Sequence, residues 1–148
     1  MDGKGNYIYD CTDISNYDGD SFRLTINKKW DFGFGIHVTQ ENRISARIIG
    51  VDTPELRDSR PEFKAAGYLA KQKAELWVNG LESVKFISLD KPDKYGRALG
   101  DFQRADGARL SDYLIEKRYG VKYEGQNKQD VEEAHRENIK YLQSRKEI

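Results

Sequence analysis

The stretch Arg47-Ile48-Ile49-Gly50-Val51-Asp52-Thr53-Pro54-Glu55 gathers residues that can do chemistry together. Asp52 and Glu55 are carboxylates, Thr53 adds oxygen donors, and Arg47 is a planar fork that matches a phosphate. Hard oxygen donors of this kind suit Ca²⁺ or Mg²⁺. Metal oxygens, a spare carboxylate and a guanidinium are the parts that phosphodiester hydrolysis needs. Pro54 has a fixed φ and no N–H, and it pushes Thr53 into an extended conformation, so the donors sit on a rigid corner. Taken alone, the stretch also reads as an ordinary strand followed by a turn.

Two further corners supply what the first lacks. Asp18-Gly19-Asp20 adds the Asp20 carboxylate at the lip of a tight turn. Asp93-Lys94-Tyr95-Gly96-Arg97 adds a mobile ammonium, a flat aromatic face and a second guanidinium. Each is a plain turn in isolation, because Asp-Gly and polar-Gly sequences favour turns for backbone reasons. Brought together, the three corners mix carboxylates, guanidiniums and a lysine in a way that no structural role requires.

The elements that must position these corners are legible in outline. Tyr7 to Cys11 reads as a first strand. Ser21 to Asn27 alternates, with Phe22, Leu24 and Ile26 on one face. Lys28 to Gly35 is a Gly- and aromatic-rich connection, Ile36 to Gln40 a short strand, and Arg43 to Val51 a strand that runs into the Asp52 corner. Pro61 opens a helix whose apolar residues Phe63, Ala66, Ala70, Ala74 and Trp77 recur at helical spacing up to Asn79-Gly80. Val84 to Leu89 and Arg97 to Phe102 form a strand pair. A second helix covers Leu110 to Lys117, and a charged C-terminal helix spans about 128–147. The order predicts a mainly β, α+β domain over 1–148: a small barrel with helices packed on it.

Composition narrows the classes. The chain of 148 residues carries 25 Lys+Arg against 25 Asp+Glu, so its net charge is zero. That counts against a tight, non-enzymatic polyanion binder, which usually carries a basic excess. Cys11 is the single cysteine, so no internal disulfide forms. The first residues lack the apolar run of a signal peptide, and no segment reads as membrane-spanning. The expected setting is therefore cytoplasmic, unless a leader has been removed, and the expected state is a monomer. His37 and His135 have no metal-ligand spacing and are expected at the surface. Trp77 is expected in the helix core.

In this order, Asp18-Gly19-Asp20, the Arg-x-x-x-Val-Asp-Thr-Pro-Glu pattern of Arg47 to Glu55, and Asp93-Lys94-Tyr95-Gly96-Arg97 resemble the staphylococcal nuclease (thermonuclease) family. The likeness covers about residues 7 to 123. It is closest to the intracellular bacterial and phage branch, which has a similar Gly-Phe element and a similar Tyr123-to-Lys128 segment. The resemblance implies a five-stranded OB-fold barrel with three helices. It also implies Ca²⁺-dependent hydrolysis of DNA and/or RNA to 5′-hydroxyl and 3′-phosphate ends, with Mg²⁺ or Mn²⁺ as alternative metals. By the same resemblance, Asp20 and Asp52 are carboxylate ligands of the metal and Thr53 lends its carbonyl. Glu55 is the general base, and Arg47 and Arg97 bind the scissile phosphate. Lys94, Tyr95 and Tyr123 contact substrate. The alternative is a catalytically weak or inactive nucleic-acid-binding OB module. The enlarged 28–42 hairpin or loop departs from the secreted members, as a cover for the site, as a selector of substrate, or simply as a longer hairpin.

Overall fold

The structure is a computed structural model that describes residues 7–148. Seven strands and three helices follow one another: β1 (Tyr7–Asn16), β2 (Ser21–Gly33), β3 (Ile36–Ile48), β4 (Val51–Asp52), α1 (Pro61–Val78), β5 (Val84–Ser88), β6 (Ala98–Arg104), α2 (Leu110–Glu116), β7 (Val121–Lys122) and α3 (Lys128–Ser144). Five of the strands close a barrel in the order β1-β2-β3-β6-β5. This is the expected OB-like barrel with three helices. β3 and β6 close it in parallel through Ala46↔Ala98 to Ile48↔Gly100, while its other neighbours are antiparallel.

Alternation builds the core. Phe22 and Leu24 from β2 face Ala46 and Ile44 from β3 across the register. Phe22, Phe102 and Phe86 then stack edge-on through the barrel, with ring centroids 5.0 and 5.3 Å apart. The α1 residues Ala70, Ala74 and Trp77 are buried in the same core, as their spacing predicts. Among the described residues, no helix is long and apolar enough to cross a membrane.

Two strand boundaries differ from expectation. The strand read as Arg43 to Val51 does not run unbroken into the Asp52 corner. It ends at Ile48, and the chain turns at Ile49-Gly50, where Gly50 has φ +79. Only glycine adopts that backbone at little cost. Val51 and Asp52 then pair with Val121 and Lys122. The break takes Asp52 off the barrel and toward α3. The second difference is the segment 28–42. The connection read at Lys28 to Gly35 is strand as far as Gly33: β2 and β3 continue as one hairpin, paired from Ser21↔Arg47 to Gly33↔Ile36 with one irregularity between Asp31 and Gly33, and Phe34-Gly35 make the turn. Its aromatic residues hid an alternation that the neighbouring glycines interrupt only at the tip.

Candidate active site

Asp20 precedes β2, and Arg47 is the β3 residue paired with Ser21. That register sets the two side chains beside each other. The Arg47 guanidinium pairs with Asp20 Oδ2 through one Nη and lies 3.4 Å from Asp52 Oδ1 through the other. Thr53 N donates to Asp20 Oδ2 at 3.0 Å, and Ser21 Oγ to Asp20 Oδ1 at 3.3 Å. The Asp20 main-chain N–H donates to Asp18 Oδ1 at 3.1 Å. Burial and the neighbouring Asp20 charge push the Asp18 carboxyl up to about 7. Asp20 and Asp52 therefore converge on a single guanidinium, while Asp18 beside them holds its proton far above the ordinary carboxylate range.

The far side of Asp52 is held from another element. His135, on α3, sets Nε2 2.7 Å from Asp52 Oδ2. It is 6% exposed, so it is a buried partner and not the expected surface residue. The physical reason is the turn at Gly50, which aims Asp52 at α3.

Glu55 is exposed beside these groups. It lines a hollow of about 450 Å³ with Asp52, Thr53, Tyr123, Lys128 and His135. Helix α1 backs the corner closely. A Cβ on Gly67 would lie 2.9 Å from the Pro54 carbonyl oxygen and 3.1 Å from that of Glu55. Gly67 thus permits the helix to buttress the turn that carries Glu55. Tyr123 is tied to the turn at Gly50, donating its N–H to the Gly50 carbonyl at 2.9 Å.

The third corner stands apart from that hollow. Arg97, Tyr95 and Arg43 line a separate hollow of about 580 Å³. Asp93 holds Arg97 twice, accepting from its Nε at 2.7 Å and from its main-chain N–H at 2.8 Å. Burial raises the Asp93 carboxyl, but these bonds from Arg97 and one from the Tyr95 N–H outweigh it and keep it below its ordinary range. Lys94 Nζ and the Arg97 guanidinium lie 5.2 and 5.7 Å from the Tyr95 ring centroid. Arg97 and Arg47 nevertheless share the outer face of the barrel. Arg47 pairs with Leu99 across β3 and β6, and Arg97 lies two residues before Leu99, where the chain enters β6.

Asp20, Arg47, Asp52 and Thr53 are thus in direct contact, Glu55 and Tyr123 share the adjoining hollow, and Lys94, Tyr95 and Arg97 form a second cluster along the same face. Sequence reasoning missed two supporting residues. Asp93 carried a local signal, its position four residues before Arg97 in a turn. His135 carried none, since it lies 83 residues from its partner.

The profile for the staphylococcal nuclease homologue family matches residues 45–146, more than half of the chain. The chain belongs to the staphylococcal nuclease homologue family. The match takes in Arg47, the Asp52-to-Glu55 corner, Arg97 and His135. It begins within β3, after Asp20 and the extended part of the β2–β3 hairpin. Comparison with curated proteins finds no match.

The family fold does not by itself establish a metal. Among the described residues, no group of three or more His, Cys, Asp or Glu is arranged as a ready-made metal site. The chemistry of the donors is nonetheless that of a hard-cation site: Asp20 and Asp52 carboxylates beside the Thr53 corner. Thr53 Oγ1 is buried without a hydrogen-bond partner, an oxygen that the described protein groups leave unused.

Proposed function

We propose that the protein is a metal-dependent endonuclease that hydrolyses DNA and/or RNA with little sequence specificity, leaving 5′-hydroxyl and 3′-phosphate ends. The observation that carries this reading is the Asp20–Arg47–Asp52 contact with Glu55 exposed in the hollow beside it. Asp20, Asp52 and the Thr53 carbonyl would hold Ca²⁺, with Mg²⁺ or Mn²⁺ as substitutes. When bound, the ion would supply positive charge for the phosphoryl oxygens and for the attacking water.

The remaining chemistry falls to the chain. Glu55 accepts the proton of an attacking water, a task that suits an exposed carboxylate near the reacting group. Arg47 and Arg97, on one face of the barrel, bind the non-bridging oxygens as charge grows on them. Asp93 engages Arg97 through Nε, which leaves its terminal nitrogens to fork onto phosphate. Lys94, Tyr95 and Tyr123 contact the flanking substrate. The substrate is nucleic acid; the cytoplasmic setting is part of the same reading.

The deciding experiment digests single- and double-stranded DNA and RNA with Ca²⁺, with Mg²⁺ and with EDTA, alongside Glu55→Gln. Cleavage that needs metal and vanishes in the variant is expected. A second reading has one observation in its favour: Arg47 and His135 already engage the carboxylates that would ligate metal. A folded protein that cleaves nothing under any condition but still binds oligonucleotides would make it a nucleic-acid-binding module.

A further inference from the structure

The β2–β3 hairpin outruns the barrel. On one side of it, β1 pairs with β2 only as far as Asp10↔Asn27; on the other, β6 pairs with β3 only from Ala46. Among the described residues, 28–33 and 36–40 therefore form a two-stranded ribbon with open edges. Such ribbons are marginally stable alone in water, and open edges invite pairing.

The ribbon also carries the barrel's interior face out into solvent. Register holds from Phe22↔Ala46 through Leu24↔Ile44 to Trp30↔Val38, so Trp30 and Val38 continue the face that is buried farther down. Trp30 is 38% exposed, Phe32 64%, Ile36 59%, Val38 49%, and Phe34 at the tip fully exposed. Phe34 holds φ +57, a backbone that bulky residues seldom adopt. With an aromatic side chain worth about 150–250 Å², these fractions leave roughly 500–600 Å² of largely apolar surface in water, at the upper end of what a monomer exposes and of the size that marks interaction sites.

We infer that this apolar ribbon face binds the same face of a second copy of the chain, forming a two-fold dimer. Two such patches meeting remove about 1,000–1,200 Å² in total, at the threshold of a specific interface. The same patch on both partners is what a two-fold contact requires. Charge points the same way. On the ribbon Lys28 and Lys29 stand against Asp31, a net charge of only +1 and a weak lure for a polyanion, and a chain of net charge zero does not repel its copy. The substrate is a poorer occupant. Arg47 and Arg97 lie on the outer face, whereas Trp30 and Val38 continue the inner one. Gly33 is twelve residues beyond Ser21, the partner of Arg47, or about 40 Å of extended strand. The proposal reverses the expectation of a monomer and is independent of the nuclease reading.

The test is sedimentation equilibrium of the full chain over a wide concentration range, in EDTA. Wild type is expected at twice 17.1 kDa, dissociating on dilution. The Phe32→Thr/Ile36→Thr variant keeps strand-forming residues and is expected to dimerise at least about tenfold more weakly, a loss of about 1.4 kcal/mol. Phe34→Gly suits the positive φ and weakens the dimer without threatening the ribbon. Circular dichroism checks that each variant is folded. A monomeric wild type at every concentration, or folded variants that dimerise as wild type does, overturns the proposal. If wild type is monomeric and the variants lose affinity for a fluorescent single-stranded oligonucleotide, the ribbon is a nucleic-acid surface instead.

Discussion

His135 Nε2 lies 2.7 Å from Asp52 Oδ2, joining the last helix to the carboxylate at the centre of the candidate site. Arg47 approaches the other oxygen of the same group. Asp52 is thus oriented from two directions, by the barrel and by α3. Outer partners of this kind typically change metal affinity by about 10–100-fold when removed. His135→Ala is expected to weaken Ca²⁺ binding by about that range, read by isothermal titration with no substrate present. His135→Gln, which restores a polar atom, is expected to recover part of the loss. Unchanged affinity in His135→Ala would mean that the contact only docks α3.

Glu55 makes no ion pair among the described residues, and it faces the hollow. Glu55→Gln is therefore expected to leave thermal stability and Ca²⁺ affinity near wild type while lowering kcat by about 10²–10⁴-fold. Steady-state kinetics on single-stranded DNA check this. A variant that retains turnover would transfer the base to another group.

Asp93 acts on chemistry only through Arg97, which separates two substitutions. Arg97→Ala is expected to lower kcat about 10²-fold or more, as the loss of a transition-state charge contact does. Asp93→Asn keeps an acceptor but removes the charge, and a smaller fall is expected. Lys94→Ala, by contrast, is expected to raise KM more than it lowers kcat, because the proposed function has its exposed ammonium contact substrate away from the reacting bond. Equal effects of all three on kcat alone would contradict the division.

Asp101 links stability to pH. It is buried on β6, where it accepts from Ser111 Oγ and from the N–H of Ser111 at 3.3 Å, near the start of α2. Burial pushes its carboxyl up from 3.8 to about 6, against those hydrogen bonds. A raised folded value means that the folded state holds its proton longer. The contribution is complete below about 3.8 and is lost as pH rises through about 6. Urea unfolding is expected to show wild type losing up to about 3 kcal/mol relative to Asp101→Asn across that window. Parallel pH profiles for the two proteins would refute it.

Much of the site was legible because its donors sit on local signals. Asp18-Gly19-Asp20 is a turn for backbone reasons, Pro54 makes the Asp52 corner rigid, and the polar run from Asp93 ends where β6 begins. The barrel was legible for the same reason: the period-two pattern of Phe22, Leu24 and Ile26 is a property of adjacent residues. The ribbon was legible only as a hairpin or loop, because its glycines and aromatic residues leave the two open until β2 and β3 are seen paired past the barrel's edge.

What the sequence by itself determined is the inventory: which carboxylates, guanidiniums and strands exist, and in what order. Local covalent and steric preferences suffice for that. Tertiary structure decided which groups meet. The left-handed turn at Gly50 lifts Asp52 from the barrel toward His135, 83 residues away. The β3–β6 register sets Arg97 on the face of Arg47 while leaving it outside the hollow of Glu55. Such partners carry no mark in the chain, because their proximity depends on where distant elements pack and not on any residue's own preference.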